Sequence, residues 1–268
     1  MVGFYWKITL TRQYFWMDSP DLVYQVLPWY QFQAREWHEG RFPLWDPQEW
    51  GGQPLIGQAQ PGSAYPLNWL LFLTPLRHGR IRPVFLIAYF LLIHYMAALF
   101  AYRLCRDLQR NQPASLLAGV AFSLAGWMGF TDWPQMLNGA VWAPLIFLFL
   151  LRAARGERPM RNAGLSGALL GFSMLSGHHQ IPIFVALACG GVWLSLFFRK
   201  GRWNPQWLRP AVLFLLLCVL TGALQTFPAY TYGKSALRWV GGPHPVGWND
   251  PVPYLVQNEF GMHPFSIL

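Results

Sequence analysis

Asp21 and Gln25 lie four residues apart, which places them on one face of the helix that the sequence predicts from Asp21 to Gly40. Asp18 stands three residues before Asp21. A carboxylate in this setting can accept a proton from an acceptor hydroxyl or help hold a divalent cation, whereas Asp18 is equally suited to capping the helix. A second group is Asp132 with Gln135, and a third is His178, His179 and Gln180. A His pair can bind a metal or contact a phosphate. Adjacent residues on a helix point in different directions, so one ring reaching a polar headgroup is preferred over both sharing an ion, and no metal site is assigned. Farther on, Gln225 precedes Pro228, Tyr230 and Tyr232, and Lys234 and Arg238 follow at i and i+4. Bases so placed suit an anionic lipid phosphate, or simply snorkel at an interface.

The elements that must position these groups follow from the spacing of arginine. Three short segments, Arg103 to Gln112, Arg152 to Asn162 and Arg199 to Arg209, are rich in bases. They hold Arg103, Arg106, Arg110, Arg152, Arg155, Arg158, Arg161, Arg199, Lys200, Arg202 and Arg209, against only Asp107 and Glu157. The short segments between them, Thr131 to Gln135 and Ser176 to Gln180, contain no Lys or Arg. Short loops rich in Lys and Arg stay cytoplasmic. Asp21, Asp132, His178 and His179 are thereby expected on the outer, extracytoplasmic side of a plasma-membrane protein. Composition agrees: the chain is 54% hydrophobic and 12% charged, with 15 Trp and 20 Phe, whereas soluble domains carry about 25% charged residues. The +9 net charge lies largely in loops between apolar runs, which fits membrane orientation and argues against nucleic-acid binding. Cys105, Cys189 and Cys218 lie in or beside apolar runs without metal or disulfide spacing.

Six spans are expected: Val84 to Leu104, Ala114 to Phe130, Met136 to Leu151, Ala163 to Leu175, Ile181 to Phe198 and Ala211 to Tyr230. Those starting at Met136 and Ala163 fall below the usual minimum of about 17 residues. Gly167 and Gly171 form a GxxxG pair, a signal for close helix packing. Residues 1–16 read as the outer end of a truncated first helix, 17–80 as an extracytoplasmic loop with a helix and a re-entrant or interfacial segment, 81–230 as the bundle, and 231–268 as the start of a second outer segment. In the first loop, Leu22, Val23, Val26, Leu27, Tyr30 and Phe32 make a helical stripe, which Pro28 should kink or interrupt. Pro43 to Pro47 and Gly51 to Pro54 are dense in turn formers, with Asp46 a turn residue. Tyr65 to Leu73 is apolar but too short to cross. Arg77, Arg80 and Arg82 are the one cluster that argues for the opposite orientation.

The order Asp21-x-x-x-Gln25-x-x-Pro28-Trp29, Pro43-Leu44-Trp45-Asp46-Pro47, Gly51-Gly52-x-Pro54, Tyr65-Pro66-x-Asn68 and Ser176-Gly177-His178-His179-Gln180 resembles the YfhO-like bacterial membrane proteins of the GT-C glycosyltransferase superfamily. Members often have Pro at the position of His179 and a Glu near Thr231, so this chain departs from the pattern there. The resemblance implies an all-α polytopic transmembrane helical bundle with a structured extracytoplasmic first loop, of which this chain would be the N-terminal half. It implies transfer of a sugar from a polyprenyl-phosphate donor to a hydroxyl acceptor, such as a cell-envelope glycan. The essential acid of the first outer loop maps to Asp21, with Asp18 second. Gln25, Asp132, His178, His179, Gln180, Gln225, Lys234 and Arg238 are the expected substrate-binding residues, a divalent cation being optional. The rival class is a transporter or flippase of a lipid-linked or polar substrate, which calls for ionisable residues deep in the spans; His94 is the clear one.

Overall fold

The computed structural model describes residues 1–11, 20–49, 51–198, 201–237 and 246–254. The chain is mostly helical, and four helical stretches are long and apolar enough to cross a membrane: Pro83–Asp107, Pro134–Ala154, Gln180–Phe197 and Pro205–Gly233. It opens with a single turn, α1 (Trp6–Leu10). The predicted first-loop helix is present as a π-helical turn, Leu22–Val26, running into α2 (Leu27–His38). Pro28 does not break it. A proline has no N–H to donate and its ring crowds the carbonyl four residues back. The preceding turn widens, so that the Leu27 N–H donates to the Leu22 carbonyl, five residues back. Leu22, Val26, Tyr30 and Phe32 are buried as the stripe requires, whereas Val23 is exposed.

The turn-rich segment folds as a two-residue antiparallel ladder, β1 (Trp45–Asp46) with β2 (Gln53–Pro54). Asp46 is buried and accepts a hydrogen bond from the Gln48 N–H at 2.8 Å, the turn role expected of it. Trp29 Nε1 and Gln53 Nε2 both donate to the Glu49 carboxylate, which holds the ladder on α2. The segment at Tyr65 becomes a seven-residue helix, α3 (Pro66–Phe72), too short to cross a bilayer. A hairpin follows, β3 (Leu76–Arg77) with β4 (Arg80–Ile81). Its turn residues, His78 and Gly79, both have positive φ, as a tight two-residue hairpin demands.

From there the chain runs back and forth in helices: α4 (Pro83–Asp107), α5 (Gln112–Leu124), α6 (Gly126–Phe130), α7 (Pro134–Ala140), α8 (Ala143–Ala154), α9 (Pro159–Met174), α10 (Gln180–Phe197) and α11 (Leu208–Gly233). Two of the six expected spans are corrected. The stretch from Ala114 to Phe130 is broken, because Ala125 is extended and Gly126 takes φ +54. That leaves α5 with 13 residues. At the end of α6, Tyr5 Oη donates to Gly129 O, and a His94 ring nitrogen lies 3.1 Å from Met128 O. Meanwhile α9 reaches only 16 residues and packs along α11. The stretch from Met136, expected to be short, gains length because α7 and α8 are separated only by Val141 and Trp142 and together make a 21-residue span.

Gly167 and Gly171 sit where α9 and α11 meet. A Cβ at either would collide with the Phe214 or Cys218 carbonyl oxygen, so only glycine permits this approach. Gly164 faces Leu213 and Leu217 while Gly171 faces Cys218 to Gly222, so the two helices run in the same direction. Their starting segments, around Arg158 and Arg209, thus lie at one end. Asp107 joins that end, binding Arg152 and Arg155 at 2.5 Å, and Arg155 binds Glu157 at 2.6 Å. All three arginine-rich segments therefore share one end of the helix array.

Candidate functional site

The opposite end is built on the chain from Leu55 to Ala64, which threads between α2, α11 and the Ser176–His179 turn. Each neighbour grips it through an uncharged polar group. Gln25 Nε2 donates to Gln60 Oε1 at 3.2 Å, and the buried Gln33 donates to Pro61 O at 3.0 Å. Gln225, fully buried on α11, donates to Ile56 O at 2.6 Å. The turn meets the segment backbone to backbone. Gly177 has φ +101, and a Cβ there would lie 2.5 Å from Gln60 O; Gly62 has φ +61, and its Cβ would lie 2.8 Å from Ser176 O. Both positions need the left-handed conformation and the missing side chain at once.

Behind this segment lies a buried network. Asn68 Nδ2 donates to Gly62 O, and the Asn68 side-chain oxygen accepts from Tyr89 Oη at 2.6 Å and from Asn138 Nδ2 at 3.1 Å. Asn138 also donates to Tyr89 Oη at 2.8 Å. Trp142 Nε1 donates to Tyr65 Oη, whose hydroxyl reaches Asn138 O. Buried polar groups without water must bond one another, so this network fixes α3, α4 and α7 against the segment. Asn68 belongs to the quoted motif. Tyr89 and Asn138 were absent from the expected site. The available signal was a polar side chain inside an otherwise apolar run, which must find a partner.

Among the described residues, several buried polar atoms at this end have no hydrogen-bond partner: both amide atoms of Gln135, Ser176 Oγ, His178 Nδ1, His179 Nε2 and Gln225 Oε1. Gln135 lies one turn before Gly139, where an added Cβ would stand 3.1 Å from Ser176 Oγ and 3.5 Å from His178 O. The Trp133 and His178 rings meet edge-on at 6.4 Å. Loss of water on burial pushes the His178 and His179 pKa values below the ordinary 6.5. The neighbouring His179 adds to the shift at His178, and a backbone hydrogen bond with Met174 opposes it at His179. Both rings are therefore neutral at pH 7, each carrying one donor and one acceptor.

The remaining expected residues are placed differently. Asp21 is exposed at the start of the π turn and caps nothing through its side chain. Gln180 is exposed where α10 begins. Asp132 is half-buried and lines a separate cleft of about 460 Å³ with Lys7, Tyr5, Phe90 and Phe130. The Lys234 ammonium lies 4.2 Å from the Tyr230 ring centroid, a cation–π contact. Asp18 and Arg238 lie outside the described residues. Among the described residues, no three His, Cys, Asp or Glu side chains gather to hold a metal ion. His94, the deep ionisable group, is fully buried with its ring nitrogens 2.9 Å from Phe90 O and 3.1 Å from Met128 O. Comparison with known protein families, with curated proteins and with solved structures found no match.

Proposed function

We propose that this chain belongs to a multi-pass plasma-membrane glycosyltransferase of GT-C type, resembling the YfhO-like proteins. It would move a sugar from a polyprenyl-phosphate donor to a hydroxyl acceptor of the cell envelope at the outer face. The observation that most supports this reading is the gathering of Gln25, Gln135, Ser176, His178, His179 and Gln225 around one threaded segment, at the end opposite the arginines. Unpaired buried amides, a hydroxyl and neutral imidazoles are groups that recognise hydroxylated ligands, since each can donate or accept a hydrogen bond. Asp21, exposed on the helix that carries Gln25, would accept the acceptor's proton. His178 or His179, with Lys234 or Arg238, would stabilise the leaving phosphate. The rival reading, a transporter, rests on His94, whose buried ring nitrogens lie beside the Phe90 and Met128 carbonyls.

The test is incorporation of labelled sugar from polyprenyl-phosphate donors by the purified full-length protein in lipid. Asp21→Asn keeps the shape and removes the proton acceptor, so transfer should fall by about 10²-fold or more with folding intact. Unchanged transfer in Asp21→Asn would remove this carboxylate from the mechanism, and absence of transfer by the parent protein with every polyprenyl-phosphate sugar tried would sink the reading.

A further inference from the structure

The hairpin at Arg77 to Arg82 is left unused by the reading above, and by charge it stands at the wrong end. Helix α4 runs from this hairpin to Asp107 over 25 residues, about 37 Å at 1.5 Å per residue. The hairpin is therefore at the end opposite the other arginine-rich segments. Arg77, His78, Arg80 and Arg82 are all exposed and line one side of a cleft of about 640 Å³, closed by Leu27 and Gln31 of α2. Among the described residues, none that lines the cleft is acidic. Among the described residues, none of these three arginines forms an ion pair, whereas Arg41, Arg152 and Arg155 all do. Three like charges held together without a counter-charge repel one another, and that cost persists unless an anion joins them.

The hairpin does not choose this arrangement loosely. Gln31 Oε1 accepts from the Ile81 N–H at 2.7 Å, which pins β4 to α2. The positive φ of His78 and Gly79 sets the tight turn that places Arg77 across from Arg80. The Arg82 guanidinium stacks 5.3 Å from the Phe85 ring centroid. Phe85 also lines a mostly apolar groove of about 170 Å³, with Leu70, Leu71, Ala88 and Leu92 among its walls. Leu70 and Leu73 of the α3 end are more than half exposed beside it. Phe85 thus borders the apolar groove, and the arginine stacked on it borders the basic cleft. A free phosphate would use only the cleft. A phosphate attached to an acyl chain would use both.

We propose that the Arg77–Arg82 hairpin and the adjoining α4 groove form a binding site for an anionic glycerophospholipid, with its phosphate among Arg77, Arg80 and Arg82 and an acyl chain along Leu70, Phe85 and Leu92. The site holds the first loop against the membrane surface, because the hairpin is bonded to α2, which carries Gln33 and continues the turn that carries Gln25. This inference does not rest on glycosyl transfer: it stands for any membrane protein with this hairpin.

The experiment measures retention of the purified full chain by phosphatidylcholine vesicles with and without phosphatidylglycerol, and by native mass spectrometry with phosphatidylglycerol, undecaprenyl phosphate or inorganic phosphate added. Phosphatidylglycerol should be preferred over phosphatidylcholine, and the preference should weaken with salt. The triple variant Arg77→Gln, Arg80→Gln, Arg82→Gln should lose that preference by about 10²-fold, counting each base near a lipid surface as about fivefold. The triple Arg→Lys variant, which keeps charge, should retain most of it, and this separates charge from loss of folding. Arg106→Gln with Arg110→Gln, at the other end, should leave it unchanged. An equal preference in the Gln variant would overturn the site. So would a Gln variant that loses binding of undecaprenyl phosphate or inorganic phosphate but keeps that of phosphatidylglycerol, which would assign the cleft to another phosphate.

Discussion

At one end of the helix array Asp107 holds Arg152 and Arg155 at 2.5 Å, with the arginine side chains about two-fifths exposed. At the other end the Leu55–Ala64 segment is held by Gln25, Gln33 and Gln225 and by the contact of Gly62 with Ser176, with no charged partner in any of those four contacts. The difference follows from water. Exposed ion pairs cost little to form and contribute little, so they can stitch loops together without fixing them tightly. Buried amides and hydroxyls are costly when unpaired, so a segment held by them is fixed in one arrangement. Charge marks an orientation, and neutral hydrogen bonds build a shaped site.

The sharpest way to break the contrast is to disturb the backbone docking. Gly177→Val should destabilise the polar end by about 3 kcal/mol, since it combines a left-handed φ with a Cβ 2.5 Å from Gln60 O. Limited proteolysis should then cut the 55–64 segment first, while the arginine-rich end stays protected. A smaller effect is expected from Asn138→Leu, which removes the donors to Asn68 and Tyr89. It should cost about 1–2 kcal/mol in thermal unfolding, and an unchanged midpoint would show that the network is not a support. Asp107→Asn should cost about 1 kcal/mol or less and lose its effect in high salt, because both arginine partners are well exposed.

A pH series separates the ends in another way. The His178 and His179 pKa values are depressed in the folded state, so the unfolded chain takes up protons first as pH falls. These rings contribute no pH dependence well above pH 6.5 and destabilise the fold progressively below it. Replacing both by Gln should remove that acid-side loss, seen as a flatter thermal midpoint between neutral and mildly acidic pH. An unchanged slope would place the acid sensitivity elsewhere.

The sequence was most legible where the signal is local. The arginine alternation anticipated which segments share an end, because it depends only on short loops between apolar runs. The GxxxG pair likewise marked a close helix contact, though not that its partner would be α11. Other features needed the third dimension. Pro28 advertised a disturbance, but whether the helix breaks or widens depends on what Leu22 and Val26 pack against. The break at Ala125 and Gly126 is concealed in an apolar run, and so is the meeting of Tyr5 and His94 with the carbonyls at the end of α6. Tyr89 and Asn138 are 49 residues apart in the chain, and nothing local announces that they bond. Of the expected site, Gln25, His178, His179 and Gln225 are brought to one end, whereas Asp132 lines a different cleft.

The proposal tested most directly is that these two ends face opposite sides of a membrane, with the polar end outside. With Cys105, Cys189 and Cys218 replaced by Ala, single cysteines are introduced at Glu39, beside the threaded segment's supporting helix, and at Leu108, among the arginines; both positions are exposed. An impermeant thiol reagent applied to intact cells should label the Glu39→Cys protein and leave the Leu108→Cys protein unlabelled until the cells are opened. Labelling of Leu108→Cys from outside, with Glu39→Cys protected, would contradict the account.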